Sequence, residues 1–225
     1  LISGLELSAD LPEGGDAHIL AYFRSVDQPR LQTQLAAYRD GRMARGRNML
    51  AKLASLEMPL DWERVLAIAG EAAVSRPHVA RAMVEAGYVP SVREAFDLYL
   101  HTGGPADAQR EKLDPEEALG LVRECGGVAA LAHPSFLADT DAALDCLIPA
   151  GLQGLEVYYK NYTPEEVEGF RRLAEERGLT PTGGSDYHGI HDDEREPGDI
   201  PLPSTALEAF LALLEREWSK AEAGT

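Results

Sequence analysis

From about residue 114 onward the chain alternates helix with short apolar strand, and this order constrains the fold more than any other feature. "DPEEALGLVRECGG" reads as a helix ended by two glycines, and "VAALAHP" as a strand stopped by a proline. "DAALDCLIPAG" is helical and "GLEVYY" is a strand. "TPEEVEGFRRLAEERG" carries Thr163 as N-cap, Pro164 at the first helical position and Gly178 just past the end. "LTPTGGSD" reads as a strand with its exit loop, and "STALEAFLALLEREWSK" as a closing amphipathic helix. Such alternation predicts a parallel α/β sheet or barrel.

Two zones precede it. "LISGLELSAD" and "DAHILAYF" are β-leaning runs bounded by Pro12, Gly14 and Gly15, and read as a hairpin or as neighbouring strands. Residues 27–105 carry helical spacing throughout, with Leu31, Leu35, Tyr38, Met43, Met49, Leu50 and Leu53 on the first helix. Asp61, Ser75 and Ser91 are N-cap candidates, Ser91 being spaced with Glu94 as a capping box. The predicted organisation is a barrel domain of residues 1–26 and 106–225, interrupted by a subdomain of about four helices over 27–105.

Charge narrows the partners. The formal net charge of −17 repels duplex nucleic acid, whose binding rests on Lys and Arg against phosphates. A small phosphate ester stays compatible, because a metal or a local arginine inverts the field inside a site. No apolar run reaches membrane-spanning length, so no membrane partner is expected. Cys125 and Cys146 stand apart, as reduced thiols do, which predicts a cytoplasmic setting. Composition sets no oligomeric state.

Ionisable residues recur within or at the ends of the apolar strands: Glu6, His18, His133, Asp186 and His188. In parallel barrels the strand ends build the site. A His, Asp and Glu set without cysteine suits a hydrolytic metal centre. Each residue also has a plain reading. His133 could bond backbone, Glu6 could pair with an arginine, Asp186 could form an Asx turn, and His18 could sit on an exposed edge.

"SGLELS", "HILAYF", "GGVAALAHP", "GLEVYY" and "GLTPTGGSDYHG", in this order, resemble the PHP (polymerase and histidinol phosphatase) family, and most closely its branch acting on nucleotides. "SRPHVARAMVEAGYV" is similar to that branch's helical insertion. The resemblance implies a distorted seven-stranded β/α barrel, TIM-like, here N-terminally incomplete and carrying the insertion. It implies two or three divalent metal ions, manganese first, with zinc, iron or magnesium also fitting. Glu6, His18, His133, Asp186 and His188 would be the ligands. Arg76 and His78 would contact a phosphate, as would His188, and His78 or His188 would protonate the leaving alcohol.

The chain departs from the pattern at one place. The family's HxH strand, aspartate and further histidine lie upstream of the glutamate that matches Glu6, and only five residues precede Glu6 here. The expectation is a piece of a longer protein, inactive alone. The implied activity is metal-assisted hydrolysis of a nucleotide or short-oligonucleotide phosphate ester, of the 3′,5′-bisphosphonucleotide phosphatase or 5′-3′ exoribonuclease kind. A non-catalytic PHP scaffold and a metal-dependent amidohydrolase are the competing classes. Tyr158, Tyr159 and Tyr162 could stack on a base or simply fill a barrel rim. His191 and "HDDEREP" read as a solvated loop, His101 as a helix-end cap, and Arg42, Arg45 and Arg47 as a solvated face.

Overall fold

The computed structural model describes residues 1–70, 72–108, 113–188 and 195–223. The chain divides into two units, Leu1–Leu31 with Lys112–Thr225, and Gln32–Glu111. One long helix, α1 (Pro29–Ser55), runs through the first boundary.

The first unit is built on five strands: β1 (Ser3–Asp10), β2 (Asp16–Phe23), β3 (Val128–Leu131), β4 (Gly154–Tyr159) and β5 (Thr180–Gly184), in that spatial order. β1 and β2 form an antiparallel hairpin in which Glu6 faces Leu20 and Ser8 faces His18. The turn between them needs left-handed backbone, and Gly14 (φ 95°) and Gly15 (φ 98°) supply it. β2 and β3 pair antiparallel, whereas β3–β4 and β4–β5 are parallel.

The expectation is a distorted seven-stranded β/α barrel, N-terminally incomplete; the structure shows the mixed α/β class and part of such a sheet. Among the described residues the sheet is mixed, has five strands and does not close, with β1 and β5 as its two edges. The hairpin turns the chain direction at β2, so only the last three strands follow the βαβ rule that the alternating pattern implies.

Alternation decides which side chains reach the site. In β2, Ala17, Ile19, Ala21 and Phe23 are fully buried, while His18, Leu20 and Tyr22 lie half-buried on the other face. β3 is buried on both faces. α5 (Pro115–Glu124), α6 (Thr140–Ala150) and α7 (Pro164–Arg177) cross between strands. The Asp114 carboxylate accepts from Glu116 N at 2.8 Å, and that of Asp139 from Ala142 N at 2.9 Å. Thr163 and Glu166 close a full capping box, and Gly178 (φ 68°) ends α7. α8 (Ser204–Ala223) packs Phe210, Leu213 and Leu214 against Val128. None of the helices among the described residues is long and apolar enough to cross a membrane. Cys125 and Cys146 are both free.

β4 carries an extra residue against β5. Glu156 faces Thr182 and Tyr158 faces Gly183, which leaves Val157 bulged. After the bulge the faces exchange, so Glu156 and Tyr159 share the inner side although three residues apart. At Gly183 a Cβ would meet Tyr158 O at 2.6 Å and Tyr158 Cβ at 2.7 Å. Gly183→Ala is expected to cost about 2–3 kcal/mol, since backbone rather than a mobile side chain must yield. A thermal melt should fall by at least about 4 °C, and an unchanged melting point would refute the tight packing.

In the second unit α2 (Trp62–Ala69), α3 (Arg76–Glu85) and α4 (Val92–Ala95) follow α1, and α4 widens into a π turn over Phe96–Leu100. Met49, Leu53, Val65, Val79 and Met83 form its core. A Cβ at Gly46 would meet Val74 at 2.8 Å, so glycine there permits close packing. Arg47 stacks on Trp62, with its guanidinium carbon 4.3 Å from the ring centroid, and Arg45 donates to Ala108 O at 2.6 Å. Arg47 stays exposed, as the solvated-face reading has it, whereas Arg45 is half-buried.

Candidate metal centre

Glu6 is central in β1, His18 sits near the start of β2, and His133 follows β3 by two residues. The antiparallel register brings Glu6 and His18 diagonally together on the inner face of the sheet. Glu6 Oε1 lies 2.6 Å from His18 Nδ1 and 3.7 Å from His133 Nε2, and the two imidazole nitrogens are 3.2 Å apart. Donors held about 2.0–2.1 Å from a tetrahedral ion lie about 3.3–3.4 Å from one another. The three separations bracket that value, and one carboxylate with two imidazoles is a donor set that zinc, manganese or iron accepts. These residues fit a divalent ion.

The charges agree with the geometry. Partial burial works against ionised Glu6, but hydrogen bonds from His133 and His18, and their charges, hold its carboxyl well below the ordinary range. Burial likewise opposes a proton on His133, yet the bond to Glu6 and the surrounding carboxylates raise its pKa. Glu6 is thus a carboxylate at any working pH.

His133 and Asp186 both have left-handed backbone, at φ 26° and 47°. Side chains rarely tolerate that conformation, so neighbours must hold it. At His133 the holder is Glu156, whose Oε2 accepts the His133 N–H at 2.7 Å. At Asp186 the holders are Tyr159 and Lys160. Tyr159 OH donates to Asp186 Oδ2 at 2.9 Å, and Lys160 Nζ donates to the Asp186 carbonyl at 3.0 Å and to Oδ2 at 3.3 Å. Burial first, and then the Asp186 carboxylate, pushes the Tyr159 phenol upward.

A cavity of about 290 Å³ is lined by Glu6, His133, Glu156, Asp186 and His188, among other residues. His188 stands at its exposed side, with Nδ1 3.0 Å from the Asp186 carbonyl. Glu156 is only 3% exposed, and burial drives its pKa from 4.5 to about 7, against the pull of the His133 N–H.

Glu156 and Lys160 are absent from the expected site. The signal for Glu156 is present in the sequence, since a carboxylate interrupts the apolar strand "GLEVYY" as Glu6 interrupts "SGLELS". The expected phosphate contacts Arg76 and His78 lie in the helical unit, where both are engaged locally. Arg76 donates to Leu100 O at 3.3 Å, and His78 Nδ1 accepts from Ser75 N at 3.1 Å as a helix-start cap. Burial, and then Arg81, lowers the His78 pKa. His101 contacts Phe96 O through Nδ1 at 3.2 Å. His191 lies outside the described residues.

The chain is similar to several known proteins. It is 28% identical over 208 residues to a 3′,5′-nucleoside bisphosphate phosphatase of Chromobacterium violaceum, covering 89% of this chain and 73% of that protein. It is 31% identical to the 5′-3′ exoribonuclease Rnm of Salmonella typhimurium over 84% of this chain, which spans 65% of that relative's length. It is 30% identical to a phosphoribosyl 1,2-cyclic phosphate 1,2-diphosphodiesterase of Eggerthella lenta, covering 84% of this chain and 73% of that one. A Bifidobacterium adolescentis crystal structure described as a metal-dependent phosphoesterase superposes with TM-score 0.78 at 28% identity, over 94% of this chain and 76% of the other. A C. violaceum structure described as an amidohydrolase with bound sulfate gives 0.77 at 28% identity, over 96% and 76%. No family model matches the sequence.

Proposed function

This chain belongs to the PHP family of metal-dependent phosphoesterases, and on that premise we propose that its site hydrolyses a phosphate ester of a nucleotide or short oligonucleotide. The observation that carries the reading is the convergence of Glu6 Oε1, His18 Nδ1 and His133 Nε2 beside a cavity that Glu6, His133, Asp186 and His188 line. Glu6, His18 and His133 would hold an ion, and Asp186 and His188 would extend the ligand set. Two or three divalent ions, manganese first, would supply a hydroxide near neutral pH and neutralise the phosphoryl oxygens. The substrate class follows the nucleotide-acting relatives.

The chain's own residues have separable tasks in this reading. Glu6 keeps a negative donor in place throughout the working pH range. Glu156, Tyr159 and Lys160 fix the directions of His133 and Asp186. His188, at the exposed side of the cavity, would deliver a proton to the leaving alcohol. Arg76, with the planar fork of a guanidinium, and His78 would meet a phosphate from the helical insertion. We extend the proposal to the family's seven-stranded barrel, of which the five strands form part, and to a cytoplasmic setting.

The test is phosphate release by the complete gene product. Release from a 3′,5′-bisphosphonucleotide is expected with added Mn²⁺ and is abolished by chelation. No release with Mn²⁺, Zn²⁺, Fe²⁺ or Mg²⁺ overturns the reading. Hydrolysis of amides instead would favour the class of the C. violaceum structure described as an amidohydrolase, and metal binding without turnover would favour a scaffold.

A further inference from the structure

A second cavity, of about 370 Å³, lies beside the metal centre and takes no part in the mechanism above. Its volume falls in the range of small-molecule sites, about 300–1,000 Å³. Tyr158, Tyr159 and Tyr162 supply its aromatic wall, Ile200 adds apolar surface, and Lys160, Arg195 and Asp199 are its charged residues.

Three observations give this cavity a ligand. The first is its place. Tyr159 and Lys160 line it and also bond to Asp186, which lines the metal cavity. The two hollows therefore share a boundary, formed by the bonded side chains of Tyr159, Lys160 and Asp186.

The second is the state of the rings. Tyr159 packs on Tyr162 with centroids 5.1 Å apart, and Tyr162 packs on Phe170 at 5.1 Å, so these two are fixed. Tyr158 differs. It is half-buried, packs on no aromatic ring among the described residues, and its hydroxyl has no hydrogen-bond partner there. The Val157 bulge has turned it away from the inner face. A half-open phenol face in a preformed slot suits a flat ring.

The third is charge. The Arg195 guanidinium is exposed and makes no ion pair among the described residues. Lys160 is paired with Asp186, and Asp199 also lines the cavity, so Arg195 supplies the cation beside the aromatic wall, the combination that receives a planar ring linked to an anion.

We infer that the Tyr158, Lys160 and Arg195 cavity is a nucleobase subsite that seats the base of a nucleotide whose phosphate lies at the metal centre. The inference rests on the phosphoesterase reading for its geometry, but it is tested separately.

Equilibrium dialysis of the complete, Mn²⁺-loaded gene product compares adenosine 5′-monophosphate with ribose 5-phosphate, which carries a hydroxyl where the nucleotide carries its base. Adenosine 5′-monophosphate is expected to bind at least about tenfold more tightly. Tyr158→Ala should remove that preference, whereas Tyr158→Phe, which keeps the ring, should retain it. Equal affinities in the wild type overturn the subsite without any variant, and so does a preference that survives in a folded Tyr158→Ala protein. Failure of the functional reading looks different. It is the absence of phosphate release with every metal, and the base preference is measured without turnover.

Discussion

Replacing His133 with alanine is expected to reduce metal-dependent phosphate release by more than about a hundredfold, beyond the 10- to 100-fold typical of losing a residue behind a ligand. His133 Nε2 is one of three clustered donor atoms, 3.2 Å from His18 Nδ1. Without it, Glu6 and His18 remain as a two-donor pair, which grips a divalent ion poorly. The loss also shows without turnover. A ligand at a hundred times its dissociation constant stabilises the native state by about 2.7 kcal/mol, and added Mn²⁺ or Zn²⁺ should raise the wild-type melting temperature by about 5–10 °C. In His133→Ala that rise should vanish, while the chelated protein melts within a few degrees of wild type. A full metal-induced rise in the variant would refute the assignment.

Glu156→Gln is expected to act in opposite directions with and without metal. In the chelated protein, Glu156 titrates near 7 instead of 4.5 because it is buried. The native state then binds more protons than the unfolded state between those values. Stability is present below about pH 4.5 and is lost as pH rises through about 7, by about 3 kcal/mol. Gln mimics the protonated acid and keeps an oxygen for the His133 N–H. The variant should therefore melt about 5–10 °C higher at pH 8 and match wild type at pH 4.5. In metal titrations it should bind 10- to 100-fold more weakly, because a negative charge behind His133 has been removed. A residue of purely structural importance would not show both signs. If the pH 8 melting points coincide, the buried-carboxylate account fails.

Much of the local structure was legible in the sequence. Thr163, Pro164 and Gly178 delimit α7 because caps and turns are decided by neighbours. The β1–β2 hairpin was legible from Gly14 and Gly15. That Glu6, His18 and His133 share one face could be suspected from carboxylate and imidazole inside apolar strands, which only a partner compensates. The antiparallel join of β2 to β3 was not legible, since about a hundred residues intervene and pairing direction leaves no local mark. The Val157 bulge has no glycine or proline to announce it, and without it Tyr159 does not face inward beside Glu156. The local bonds of Arg76 and His78 were also missed: His78, three positions into its helix, serves its own N-cap, and Arg76 reaches the distant Leu100 carbonyl.

Three non-glycine residues among those described adopt left-handed φ: Glu57, just past α1, and His133 and Asp186. The last two carry a consequence for engineering. A protocol that selects for thermal stability would favour glycine at both, since it relieves the backbone there. The same step would erase the imidazole and carboxylate that converge on the cavity. A library sorted for heat resistance and then assayed for phosphate release should show these two positions as the places where the two selections disagree.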